Sequence, residues 1–243
     1  MRKLRKLAKR IPIIPLIYKA FIHIKLKFGS TEQIFTNIYK KNHWDGKESI
    51  SGSGSDSNQT KIITKELSSL FKDFNISTVL DIPCGDFNWM KNVNMNKIHY
   101  TGADVVKEII KNNTDKYEQD NIHFLNINII SDPLPKVDLI FVRDCLVHFS
   151  FKDIYLSLNN ICKGQSKYFL TTTFTNRKHN KNINTGDWRT LNLEITPFFL
   201  PKPIKIIYED CTECEGIYKD KALCLWKIED IRKTLMSKAP GEF

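Results

Sequence analysis

The sequence predicts an α/β fold, a largely parallel sheet with helices on both faces behind an N-terminal helical and basic extension. Three observations carry this. First, strand-like apolar runs at 78–82, 98–103, 122–129, 137–142, 167–174, 204–209 and 222–228 alternate, over most of their length, with helical stretches at 86–91, 105–117 and 151–162. Second, Thr78-Val79-Leu80-Asp81 ends on an acid and breaks at Pro83-Cys84-Gly85, the mark of a buried strand stopping in a tight turn. Third, Asp104 closes the next run about 20 positions after Gly85, the gap expected between a nucleotide-binding turn and the acid that takes ribose hydroxyls. In such sheets ligands bind at the carboxyl ends of the strands.

Residues 1–28 hold nine basic residues and no acid, around the apolar run Ile11 to Ile17. A bilayer span takes about 20 apolar residues. Pro12, Pro15 and Lys19 interrupt this run, so neither a span nor a cleaved signal is expected. Two readings stay open, an interfacial segment attracted to anionic lipid and a packed or flexible arm. Without the arm, the net charge of +10 falls to near neutral, so the basic balance does not point to nucleic acid.

Residues 29–50 read as helical around Ile34, Ile38 and Tyr39 before turning polar. Ser51-Gly52-Ser53-Gly54 then reads either as a linker or as a loop whose backbone N–H groups meet an anion, with Ser51 and Gly52 the candidates. A helix over 59–73 follows, with Leu67, Leu70 and Phe71 on one side. The division expected is an arm (1–28), a helical cap with the Gly/Ser loop (29–77), a core (78–235) and a tail (236–243).

The third strand run ends at Asn126-Ile127-Asn128, and alternation turns both asparagines the same way. The fourth delivers Arg143, Asp144 and, four residues later, His148, whose intrinsic pKa suits a base near neutrality. Asp144 is read as orienting His148 or taking an acceptor hydroxyl, and a purely structural Arg143–Asp144 pair is the other reading. Ser150 caps the next helix. A long polar loop after the fifth strand offers Asp187, Trp188 and Arg189 as sugar or aromatic contacts, or Trp188 as a packing residue. The last two runs are separated only by Asp210 to Lys221, and a hairpin at the sheet edge is compatible with that spacing. Six cysteines without a secretion signal fit a reduced, cytoplasmic protein. Cys211 and Cys214 form one CxxC with no second pair, and no metal site is expected.

The glycine turn lacks the Gly-x-Gly-x-x-Gly dinucleotide pattern. It resembles the first motif of class I S-adenosylmethionine-dependent methyltransferases. Asp81 and Gly85 match, and Pro83 and Phe87 stand where that motif has glycines. Together with Trp44, Gln59-Thr60, Asp86 to Met90, Arg143 to His148, Thr171 to Phe174, Gly186 to Trp188 and Asp220 to Ala222, the chain resembles bacterial methyltransferases often encoded among surface-polysaccharide genes. The resemblance implies a Rossmann-like, seven-stranded sheet with a reversed final strand and S-adenosylmethionine as cofactor. It implies a cofactor pocket at Asp81, Pro83, Gly85, Asp86, Trp89, Asp104, Asn128 and Arg143, with Asn128 taking the adenine amino group. The expected activity is methyl transfer to a hydroxyl of a sugar or glycan-linked acceptor, with His148 and Asp144 catalytic. Alternatives are a small-metabolite or peptide acceptor, or a non-catalytic nucleotide-binding or scaffold protein of the same fold. A cytoplasmic enzyme at the inner face of the membrane is the expected setting.

Overall fold

The computed structural model describes residues 29–237. The basic arm (1–28) and the end of the tail (238–243) lie outside them.

Helix α1 (Thr31–Lys40) starts at a capping box. Ser30 Oγ accepts from the Gln33 N–H, and the Gln33 side chain accepts from the Ser30 N–H. Ile34 and Ile38 are its buried positions. The Gly/Ser segment is no linker. It tightens into a helical turn at Ser53–Ser55 that leads into α2 (Ser57–Asp73), which buries Ile63, Leu67, Leu70 and Phe71.

The core follows as β1 (Thr78–Asp81), β2 (His99–Asp104), α3 (Lys107–Tyr117), β3 (Ile122–Asn126), β4 (Leu139–Val142), α4 (Phe151–Lys163), β5 (Tyr168–Phe174), β6 (Lys205–Tyr208), β7 (Lys221–Lys227) and α5 (Ile228–Met236). The sheet order is β3-β2-β1-β4-β5-β7-β6. All pairings are parallel except those of β7, which runs antiparallel to both β5 and β6. The expected edge hairpin is therefore present, with its second strand inside the sheet.

Strand alternation divides the core between two faces. Val79, Tyr100, Leu139, Phe141 and Leu225 pack on α2, while Leu80, Ile140, Val142 and Trp226 pack with α4 and α5. A strand covered on both faces must be apolar throughout, and β4 is buried at all four positions. The chain runs outward from β1 to β3, then crosses back to β4. The point where direction reverses, between β1 and β4, is where a ligand crevice forms.

The structure corrects two sequence expectations. Residues 86–91 are not a helix. Phe87 adopts φ +58°, outside helical backbone, and only a single turn forms at Met90–Asn92. The third strand stops at Asn126, and Asn128 lies beyond it in a turn closed by its own side chain.

Candidate functional site

A pocket opens over the carboxyl ends of β1, β2 and β4. Its floor is Asp81 to Asp86, Asp104 to Val106, Ile127 to Ile129, and Arg143 to Cys145. Its roof is the N-terminal cap, with Thr31, Phe35 and Tyr39 of α1 together with Trp44, Ile50, Ser51 and Ser55. Of the cap, only Ser51 and Gly52 were expected at the site, and the part played by α1 and Ile50 was not. The aromatic Phe35, Tyr39 and Trp44, close together in an otherwise polar segment, are the sequence signal for it.

At the β1 end, Gly85 has φ +54°, a conformation that strains any side chain, and a Cβ there would lie 2.2 Å from Ser51 Oγ. Asn113 Nδ2 donates to its carbonyl at 2.7 Å. Cap loop and turn are thus in direct contact.

Asp81 and Asp104 are 3% and 5% exposed. Tyr100 Oη donates to Asp81 at 2.7 Å, and the Val106 N–H donates to Asp104 at 2.9 Å. Among the described residues neither carboxylate has a cation within ion-pair distance. Burial therefore dominates, raising Asp81 to about 7 and Asp104 to about 6. Two buried acids without cations face one pocket, a donor set that suits a ligand bearing a cation and a hydroxyl pair.

Other expected site residues take different roles. Asp86 lines the pocket, but its carboxylate accepts from Ser49 Oγ and the Ile50 and Asn88 N–H groups, so it anchors the cap loop. Gly52 does not line the pocket. It takes φ +96° against Trp44, and its N–H donates to the Ser49 carbonyl. The Ser51 N–H likewise donates to Ser49 Oγ. These two N–H groups are thus used within the loop, while Ser51 itself lines the pocket. Pro83 and Trp89 line the pocket as expected. Asn128 does so too, with its carbonyl oxygen accepting from the Ile130 N–H at 3.0 Å.

Arg143 is a wall residue whose guanidinium is already engaged. It donates to Glu209 at 2.6 Å and to the Gly54 carbonyl at 2.8 Å, and lies 5.4 Å over the Trp89 ring. Asp144, at φ +50°, pairs with Lys221 Nζ at 2.7 Å and lies 3.4 Å from Arg143. Burial opposes its charge, but the two cations prevail and hold its pKa down at about 2.

Asp144 does not hold the His148 ring by a hydrogen bond. His148 Nδ1 lies 3.0 Å from the Asp187 carbonyl, which can only accept. Nδ1 therefore carries the proton, and Nε2 of the neutral ring is left as an acceptor. The ring centroid lies 4.9 Å from that of Trp44, with the two planes tilted by 36°. Burial lowers its pKa to about 4, well below the near-neutral value expected from sequence. The loop candidates do not reach the pocket. Arg189 is buried, donating to the Leu146 and Phe149 carbonyls, and Trp188 packs edge-on against Phe174 and Tyr218. Asp187 reaches His148 through its backbone carbonyl.

No family model and no curated protein matches the chain in sequence. Solved structures do match in shape. A Burkholderia thailandensis 1,6-didemethyltoxoflavin N1-methyltransferase, solved with its substrate and S-adenosylhomocysteine, aligns with TM-score 0.58 at 12% identity over 80% of this chain and 87% of its own. Human N-acetylserotonin methyltransferase in complex with S-adenosylmethionine gives 0.56 at 11% identity over 82% of this chain. This protein spans 60% of that human chain. A Synechocystis magnesium protoporphyrin IX methyltransferase with bound S-adenosylmethionine gives 0.54 at 12% over 82% and 97%. The fold is the Rossmann-like class I methyltransferase fold. At these identities the likeness is one of architecture, and the site chemistry rests on the residues above.

Proposed function

We propose that this protein transfers a methyl group from S-adenosylmethionine to a hydroxyl of a sugar or glycan-linked acceptor. The observation that carries the reading is the pair of buried carboxylates, Asp81 and Asp104, with no cation beside either among the described residues. Asp104 would take the ribose hydroxyls, and Asp81 would face the ammonium end. Ile127, Ile129 and Cys145 offer an apolar slot for a purine, edged by Asn128. The pocket wall carries four aspartates against Arg143, which Glu209 neutralises, so its potential suits a cationic ligand.

When bound, S-adenosylmethionine supplies an electrophilic methyl on a cationic sulfur. The protein's own share is alignment, worth about 7–11 kcal/mol for well-oriented reactants, and removal of the acceptor proton. His148 Nε2 is the group for the second task. Trp44 lines the pocket beside His148, and an aromatic wall there suits a sugar ring, which favours a hydroxyl-rich acceptor. The basic arm would hold the enzyme near lipid-linked acceptors.

Titration calorimetry tests the cofactor. Micromolar binding of S-adenosylmethionine or S-adenosylhomocysteine, about −8 kcal/mol, is expected, and absence of binding by the folded protein ends the reading. Co-sedimentation with anionic vesicles tests the arm. The full chain should bind in a salt-sensitive way and a chain lacking residues 1–28 should not.

A further inference from the structure

Behind Asp144 lies a closed set of four charges. Arg143, Glu209 and Lys221 have side chains only 4%, 1% and 5% exposed, while Asp144, at 27%, is the exposed member and lines the pocket together with Arg143. Lys221 Nζ is 2.7 Å from Asp144 Oδ2 and 3.4 Å from Glu209 Oε2. The Asp144 N–H donates to Thr172 Oγ1 at 2.8 Å, fixing the backbone that carries the carboxylate. Burying two cations and two anions is costly unless their geometry is tightly satisfied. Glu209 Oε1 and Arg143 Nε nevertheless lack hydrogen-bond partners. A set that costs this much and opens at one carboxylate is built around that carboxylate.

Resting on the methyl-transfer reading, we propose that Lys221 is a positioning residue that pins Asp144 as a permanent anion, so that the acceptor site takes a neutral, hydroxyl-bearing group and rejects carboxylate- or phosphate-bearing ones. Both cations contact Oδ2 of Asp144. Oδ1 is the oxygen left for the pocket, where it accepts a hydrogen bond from an acceptor hydroxyl. His148 Nε2 then serves a neighbouring hydroxyl. Asp144 moves no proton, because its charge is held by Lys221 and Arg143. An anionic acceptor would meet this fixed charge with no free cation on the pocket wall among the described residues, since Glu209 neutralises Arg143.

The test uses the full chain saturated with S-adenosylhomocysteine, with the His148 ring signals followed by NMR. The probes are methyl α-D-glucopyranoside and its uronate counterpart, which differs by one carboxylate. The neutral glycoside should bind about tenfold or more tightly than the uronate, the size of a charge-assisted hydrogen bond against a like-charge contact. Asp144→Asn should bring the two affinities within about threefold. Lys221→Met should weaken the neutral glycoside about tenfold, and Lys221→Arg should restore most of the loss. Equal binding of both probes by the wild type, or binding of neither, overturns the proposal, and that comparison needs no variant to fold. An unchanged glycoside affinity in Lys221→Met overturns the positioning role. Failure to bind S-adenosylhomocysteine would instead strike the methyl-transfer reading beneath it.

Discussion

At the ends of β1 and β2, Asp81 and Asp104 are buried with no cation within ion-pair distance among the described residues, whereas at the end of β4 Asp144 is held by Lys221 and Arg143. Asp144 is also the more exposed, at 27%, and the outcome is opposite: the first two pKa values rise to about 7 and 6, and the third falls to about 2. An acid left without a counter-charge is stable as an anion only when something outside the chain arrives. An acid with its cations built in is an anion at all times. The pocket therefore has one end that responds to its ligand and one end that is fixed before any ligand comes.

The largest effect should come at the fixed end. His148→Ala should lower turnover about 10²–10⁴-fold, the usual contribution of proton transfer, with S-adenosylhomocysteine affinity nearly unchanged. Because burial holds His148 neutral down to about pH 4, the wild-type rate should not show a fall near pH 6.5 from this residue. A variant that loses thermal stability but keeps its rate per folded molecule would make His148 a packing residue.

At the responsive end, Asp104→Ala should weaken S-adenosylhomocysteine binding by about 1.5–3 kcal/mol, through lost charge-assisted bonds, as read by calorimetry. Binding a cation there should also expel protons between about pH 6 and 7, where both acids titrate. Calorimetry in buffers of different ionisation enthalpy would reveal that release, and identical heats would deny it. Gly85→Ala sets a Cβ against Ser51 in left-handed backbone and should cost about 1–2 kcal/mol of stability by denaturant unfolding.

The smallest effect separates the two ends by stability alone. A carboxyl whose folded pKa is raised favours the fold below its unfolded value, and that contribution is lost as pH rises through the folded value. For Asp81 and Asp104 the loss runs from about pH 4 to 7. His148 has the opposite sign, its contribution being present above about 6.5 and lost as pH falls toward 4. Asp81→Asn should therefore raise the melting temperature of the ligand-free protein at pH 8 by about 2–4 °C, roughly 1 kcal/mol, while weakening the cofactor. A lower melting temperature would mean that Asp81 already has a compensating charge.

Much of this contrast was legible in the sequence on one side only. Asp81, Gly85 and Asp104 announce themselves through local punctuation, strands that stop on acids beside a turn. The seven strands were readable for the same reason, although α5 was missed because it follows β7 without a break. The other end depends on partners far along the chain. Arg143 read as a ligand contact because nothing near it signals Glu209, which lies 66 positions away. Lys221 read as the end of the loop before the last strand, because its partner Asp144 is 77 positions distant. Residues 86–91 misread as a helix because a left-handed Phe87 leaves no mark in residue type.

The place of β7 has a bearing on how the molecule is made. β6 is synthesised before β7 yet has β7 as its neighbour in the sheet, and β7 must first lie along β5. During synthesis β6 therefore waits beside an open edge of β5, unable to complete the sheet on its own. The strand that closes that edge also brings in Lys221. A nascent chain halted short of it would carry Asp81 and Asp104 in an unfinished sheet, with Asp144 missing its lysine and Glu209 just past an undocked strand. Closure of the sheet by β7 and completion of the charge set around Asp144 are thus one event.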